Sequence, residues 1–329
     1  MMALIEITAW HWAGFILAIL FFLALDLGVF HRHAHVVGFK EALCWTAVWF
    51  TMAMLFAFAV LKMRGREEAI EFVTGYVIEY ALSMDNVFVI ALIFSYFRVP
   101  SQYQHRVLFW GIMGALIMRG VMIGAGAALI ARFHWILYVM GAFLVVSGIK
   151  MMLVADEGVH PEKNPVLRLA RKLFPVTHEF EGQRFTTVLD GRKALTPLAL
   201  VLVMVETTDL VFALDSIPAI FAVTKKPFIV FTSNVFAILG LRSLYFLLAG
   251  AIRYFRHLKT GLSVVLVFIG VKMLVPLAAE HIDAMRGFKI TTTLSLTVVV
   301  SIILVSIAAS VIHAWLENRP ADRNDGRRP

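Results

Sequence analysis

Two short stretches place oxygen donors inside otherwise apolar sequence. ETTDLVFALDSIP, residues 206–218, carries Glu206, Asp209 and Asp215, with Thr208 and Ser216 alongside; SMDNVFVI, residues 83–90, carries Asp85 and Asn86. Carboxylates with amide and hydroxyl oxygens form a hard donor set suited to Mg, Ca or Mn, whereas Zn or Cu would recruit His or Cys. Neither stretch contains His or Cys. A hard divalent cation is therefore the ligand these residues favour, an organic cation also fits, and the surplus of acids disfavours an anion. The single cysteine, Cys44, excludes disulfide frameworks and thiolate metal sites. HRHAH, residues 31–35, has spaced imidazoles but reads as a solvated loop. No Ser-His-Asp, HExxH or Cys-His constellation sits at a membrane face, so an enzyme is not expected.

The elements that must position these donors follow from composition. With 60% hydrophobic and 16% charged residues and a mean hydropathy of +0.83, the chain departs from soluble domains, in which charged residues make up about a quarter. An all-α polytopic membrane protein is expected. Apolar runs long enough to cross a bilayer as helices fall at 12–30, 41–62, 69–97, 106–131, 134–154, 196–223, 227–251, 261–280 and 291–316, about nine in all. The alternation of a membrane β-barrel is absent. The fifteen Met residues are scattered through these runs as packing residues.

Internal symmetry organises the runs. SMDNVFVI resembles TTDLVFAL (207–214), GALIMRG (114–120) resembles ILGLRSL (238–244), and SGIKMML (147–153) resembles IGVKMLV (269–275). Asp85, Arg119 and Lys150 recur as Asp209, Arg242 and Lys272, with intervals of 34 and 31 residues in the first set and 33 and 30 in the second. The chain thus holds two three-helix repeats. Each has an odd number of crossings, so the second enters the membrane from the opposite side, and the repeats are inverted. Secondary transporters use this architecture, with a site near the midplane at the repeat interface. The organisation reads as N-terminal helices (1–67), first repeat (68–154), cytoplasmic loop (155–195), second repeat (196–280), C-terminal helix (281–316) and disordered tail (317–329).

Each charge at the centre of a membrane helix costs about 2.5–3.5 kcal/mol on insertion scales, so such residues demand partners or a function. The spans hold Asp26, Glu79, Asp85, Glu206, Asp209 and Asp215 against Arg119, Lys150, Arg242 and Lys272. The excess of two acids equals the charge of one divalent cation, and protonated carboxyls or snorkelling lysines would balance it as well. An arginine cannot ligate a metal but can orient a carboxylate or stand in for the cation's charge. Lys150 and Lys272 lie near span ends and are expected to snorkel. At about 100° per residue, Glu206 and Asp209 lie about 60° apart and Glu206 opposes Asp215, so one straight helix cannot aim all three at one ion. Pro218 is expected to bend the segment beside Asp215 by denying a hydrogen bond to Leu214.

Outside the spans, Lys and Arg number 18 on one side and 8 on the other, which puts the amino terminus out and the carboxyl terminus in. Basic inner loops facing anionic lipid account for the formal charge of +8 without any nucleic acid. Within the long loop, NPVLRLARKLFP (164–175) reads as a basic amphipathic helix on the inner membrane surface. FTTVLDGRKAL (185–195) reads as a hairpin around Asp190-Gly191.

SMDNVFVIALIF, ETTDLVFALDSIPAIF, the paired Arg119 and Arg242, and GIKM with GVKM resemble the TerC family of bacterial integral membrane proteins. Residues 68–280 carry the resemblance, and the two leading helices and one trailing helix are similar to its longer, Alx-like subgroup. The resemblance implies export of manganese from the cytoplasm across the bacterial inner membrane. It places Asp85, Asn86, Asp209 and Asp215 in the transport site, followed by Glu79 and Glu206. It also implies a link to tellurite resistance, which the acidic residues fit through metal balance rather than oxyanion handling. Protons are the expected counter-ion and no cofactor is expected. The competing expectation, a membrane-protein assembly or insertion factor, would make the aspartates dispensable and the 155–195 loop functional.

Overall fold

The structure, a computed structural model, describes residues 6–25, 38–153, 162, 164–189, 191–249, 257–281 and 290–317. Its helices are α1 (Ala9–Leu25), α2 (Phe39–Arg64), α3 (Arg66–Tyr96), α4 (Ser101–Arg132), α5 (Ile136–Leu153), α6 (Pro165–Leu173), α7 (Pro197–Phe221), α8 (Pro227–Leu239), α9 (Leu241–Ala249), α10 (Leu258–His281) and α11 (Thr292–Glu317). Among the described residues, 8 helical stretches are long and apolar enough to cross a membrane, and α1 is a shorter apolar helix. The chain is an all-α polytopic membrane protein. Asp26, the HRHAH segment, Asp190 and the tail lie outside the described residues.

The run expected at 227–251 is present as one membrane-length stretch, Pro227–Leu248, in which Gly240, a residue that favours helix poorly, divides α8 from α9. α7 stays helical through Pro218, the residue expected to bend it. Its lost hydrogen bond falls close to the helix end, where Ala222 N already bonds to Pro218 O at 3.0 Å. Residues 216–221 are all buried, so packing holds the helix through the proline. At the join of α2 and α3 a single residue, Gly65, turns the chain with φ +91°, a region that side chains with Cβ rarely adopt.

Helix packing crosses between the two halves of the chain. α3 packs on α7 and α8, α7 packs on α4, and α5 packs on α10. The α5–α10 crossing is made close by glycines. A Cβ on Gly148 would lie 2.8 Å from Ser263 O, and one on Gly270 would lie 2.6 Å from Gly141 O. When SGIKMML is matched to IGVKMLV, Gly148 corresponds to Gly270 and Gly141 to Ser263. The two close contacts therefore exchange partners under the matching. The helix pairs α3–α8 and α7–α4 exchange in the same way.

The amino-terminal helices attach through aromatic rings. Phe56 of α2 lies 5.1 Å from both Phe72 of α3 and Phe236 of α8, and Phe15 of α1 lies 5.9 Å from Phe236. On the other side of the chain, α6 begins at Asn164, whose side chain accepts from Val166 N at 2.9 Å and Leu167 N at 3.0 Å. Leu167 is buried with Leu198, Val201 and Tyr245, while Val166, Leu169 and Leu173 stay exposed beside Arg168, Arg171 and Lys172. The expected hairpin is present as β1 (Thr186–Leu189) against β2 (Arg192–Leu195), with Gly191 at φ +76° in its turn.

Candidate functional site

At the centre of the helical core, α3, α4, α7 and α8 each bring a polar side chain to one point. Arg119 of α4 is 2% exposed and Glu79 of α3 is 0% exposed, and the two form an ion pair. The same guanidinium grips Asp209 of α7 as a fork, donating from Nη2 to Oδ1 at 2.9 Å and from Nε to Oδ2 at 3.3 Å. Nη1 also donates to Ser216 Oγ at 3.2 Å and Asn234 Oδ1 at 3.4 Å, and Asn86 Nδ2 donates to Asp209 Oδ1 at 3.3 Å. Planar two-point pairing of this kind fixes direction as well as charge. One arginine between two carboxylates leaves one formal negative charge in excess.

Next to this cluster is a cavity of about 30 Å³, room for one particle the size of a water molecule or a bare cation. Glu79, Asp85, Asn86, Asp215 and Ser216 line it, with Leu262 and Leu266 of α10 closing one wall. Two of these residues keep an oxygen without a partner, Glu79 Oε2 and Asn86 Oδ1. A buried acceptor left unbonded is costly, and a water or an ion reaching it would relieve that cost. Asp215 accepts from Ser147 Oγ of α5 at 2.7 Å, and the exposed Lys150 on the same helix acts on its charge.

Residues 64–318 match the family described as integral membrane protein TerC family. The chain belongs to the TerC family. A membrane protein of Myxococcus xanthus is 52% identical over 318 residues, covering 97% of this chain and 96% of its own. A putative membrane-bound redox modulator, Alx, of Escherichia coli K12 is 43% identical over 324 residues, covering 96% of this chain and 97% of its own. A membrane protein of Rickettsia bellii is 39% identical over 308 residues, covering 94% and 99%. No solved structure matches.

In this TerC-family chain the expected donors do not converge as one set. Among the described residues no group of three or more His, Cys, Asp or Glu side chains is placed to hold a metal ion. Asp85, Asn86, Asp215 and Ser216 share the cavity, whereas Asp209 is drawn beside it by Arg119. Thr208 turns away, donating its hydroxyl to Met204 O at 2.7 Å. Glu206 does not line the cavity, and its carboxylate is pressed against Gly114 of α4, the helix that also carries Arg119. Arg242, the repeat-matched counterpart of Arg119, has its Nη1 at 3.1 Å from His105 Nε2.

Sequence reasoning missed Ser147 and Asn234, both polar residues in apolar runs and so visible in principle. It also passed over a charged network at one end of the core. Glu68 bonds Arg64 at 2.7 and 2.8 Å, Lys226 lies 3.4 Å from Glu68 and 3.1 Å from Glu71, and Thr224 Oγ1 donates to Glu71 at 2.9 Å. These contacts tie the start of α3 to the α7–α8 loop. Burial pulls the Lys226 pKa down, but its bond to Glu71 and the charges of Glu71 and Glu68 outweigh this and raise it above the ordinary lysine value.

Proposed function

We propose that the protein is a secondary transporter that exports Mn(II), or a similar hard divalent cation, from the cytoplasm. The observation that carries the reading is the mid-helix cavity whose lining residues Glu79 and Asn86 each keep an oxygen without a protein partner. Asp85, Asp215 and Ser216 complete an oxygen set there, and hard cations take such ligands. The inner membrane is the expected location, with the amino terminus outside and the carboxyl terminus in the cytoplasm.

Arg119 gives the site its switch. A cation that uses Glu79 or Asp209 competes with the guanidinium for the same carboxylates, and withdrawal of Arg119 keeps the buried charge balanced as the ion arrives. The partner-exchanging contacts of α5 with α10, and of α3–α8 with α7–α4, support two inverted repeats that rock against each other. Protons taken up by the emptied carboxylates on the outer side would drive the cycle. Relatives bear the name redox modulator; with one cysteine this chain has no dithiol of its own, and control of a redox-active metal is the route by which a transporter would affect redox state. Tellurite resistance follows from metal balance in the same indirect way.

The test is purified protein in liposomes that enclose a metal-quenched dye. Wild type should pass Mn(II), and Asp85→Ala with Asp209→Ala should abolish the flux. Equal flux in the two would sink the assignment, and flux indifferent to an imposed pH gradient would remove proton coupling alone.

A further inference from the structure

A second cavity, of about 380 Å³, opens where the start of α5, the α7–α8 loop and the later half of α10 meet. Its rim is basic, with Lys225, Lys272 and His134, and the phenol of Tyr138 stands among them; Phe221 and Met273 contribute an apolar wall. Lys225 is exposed and Lys272 is half-buried within its span. Among the described residues neither lysine forms an ion pair. The charge of Glu71 reaches Lys272, but that carboxylate is already bonded to Lys226 at 3.1 Å and Thr224 at 2.9 Å. An ammonium taken out of water without a close counter-charge is costly, so the half-buried Lys272 favours an anionic ligand here.

We propose that this cavity is a binding site for an anionic phospholipid. Its phosphodiester would sit between Lys225 and Lys272, within reach of the Tyr138 hydroxyl, and one acyl chain would follow the wall of Phe221 and Met273. Three observations select a lipid. The basic rim stands at the end of membrane-crossing helices, where headgroups lie. Phe133 and Trp135, on either side of His134, are 41% and 59% exposed, as aromatic residues at a membrane interface are. The apolar wall gives a free inorganic anion nothing, and a zwitterionic lipid brings its own ammonium, which competes with the two lysines.

The test is the full chain in detergent, titrated with phosphatidylglycerol or phosphatidylethanolamine while native mass spectrometry counts bound lipid. Wild type should bind phosphatidylglycerol at least about tenfold more tightly, the factor expected for charge-assisted hydrogen bonds. Lys225→Gln with Lys272→Gln should remove the preference, and Lys225→Arg with Lys272→Arg should keep it. Should the Gln pair fail to give a monodisperse protein, Lys225→Gln alone, on the exposed rim, must still weaken phosphatidylglycerol binding. Equal binding of both lipids by wild type, or an unchanged preference in a folded Gln variant, would overturn the proposal. So would inorganic phosphate that displaces phosphatidylglycerol at equal concentration, since it would mark a site for a free anion.

Discussion

Arg119 is the residue on which the core's electrostatics turn. It is buried and bonded to acids from two helices, so Arg119→Ala leaves Glu79 and Asp209 enclosed without a counter-charge. Such a loss costs about 3–5 kcal/mol, and thermal unfolding of the variant should show it. Adding Glu79→Gln and Asp209→Asn to the same chain should recover most of the loss, and no recovery would mean that the arginine stabilises by packing alone. Glu206 makes a separate case. A Cβ on Gly114 would overlap its carboxylate, yet the clashing group is the end of a flexible side chain. Gly114→Ala should therefore change stability by less than about 1 kcal/mol. Any cost should vanish when Glu206→Ala is added, which a double-mutant cycle measures.

Elements translate these residues into rigidity, and the α5–α10 crossing shows how. Gly148 and Gly270 sit under backbone atoms of the facing helix, so Gly148→Ala and Gly270→Ala should each cost about 1–3 kcal/mol and to similar extents. Gly124 of α4 has open space around it, and Gly124→Ala should be neutral or stabilising by up to about 1 kcal/mol. Unequal effects at Gly148 and Gly270 would argue against the exchange of partners between repeats. The α3 to α7–α8 tie adds a pH dependence. The folded-state pKa of Lys226 is raised above its unfolded value of 10.5, so its stabilisation is fully present below that value and lost as pH rises through the folded one. Lys226→Met should flatten that alkaline loss in thermal unfolding. Apolar runs of membrane-crossing length made the helices legible in the sequence. The interruption at Gly240 and the continuity at Pro218 were not, because neighbouring packing rather than local propensity decides whether a helix continues. At the site, repeat matching found Asp85, Asp209 and Arg119. It could not find that Arg119 reaches Glu79 as well as Asp209, since the residue matched to Glu79 in the second repeat is Val203 and the repeat is silent on it.

For the whole molecule the decisive question is whether one half moves against the other during a transport cycle. The network of Glu68, Glu71, Thr224 and Lys226 closes the end of the core where α3 starts, and the central cavity lies deeper along the same helices. Under the proposed export, a cation leaving at that end would pass a contact in which Glu71 accepts from Thr224 at 2.9 Å, so the contact would have to open. Glu71→Cys with Thr224→Cys tests this directly. Cys44, exposed on α2, is replaced by Ser first, which leaves no other thiol in the chain. Reduced protein should carry Mn(II) in liposomes, oxidation to the cross-linked form should stop it, and reductant should restore it. Flux that continues through fully cross-linked protein would show that this end stays fixed, and alternating access by movement of α3 against the α7–α8 loop would then be wrong.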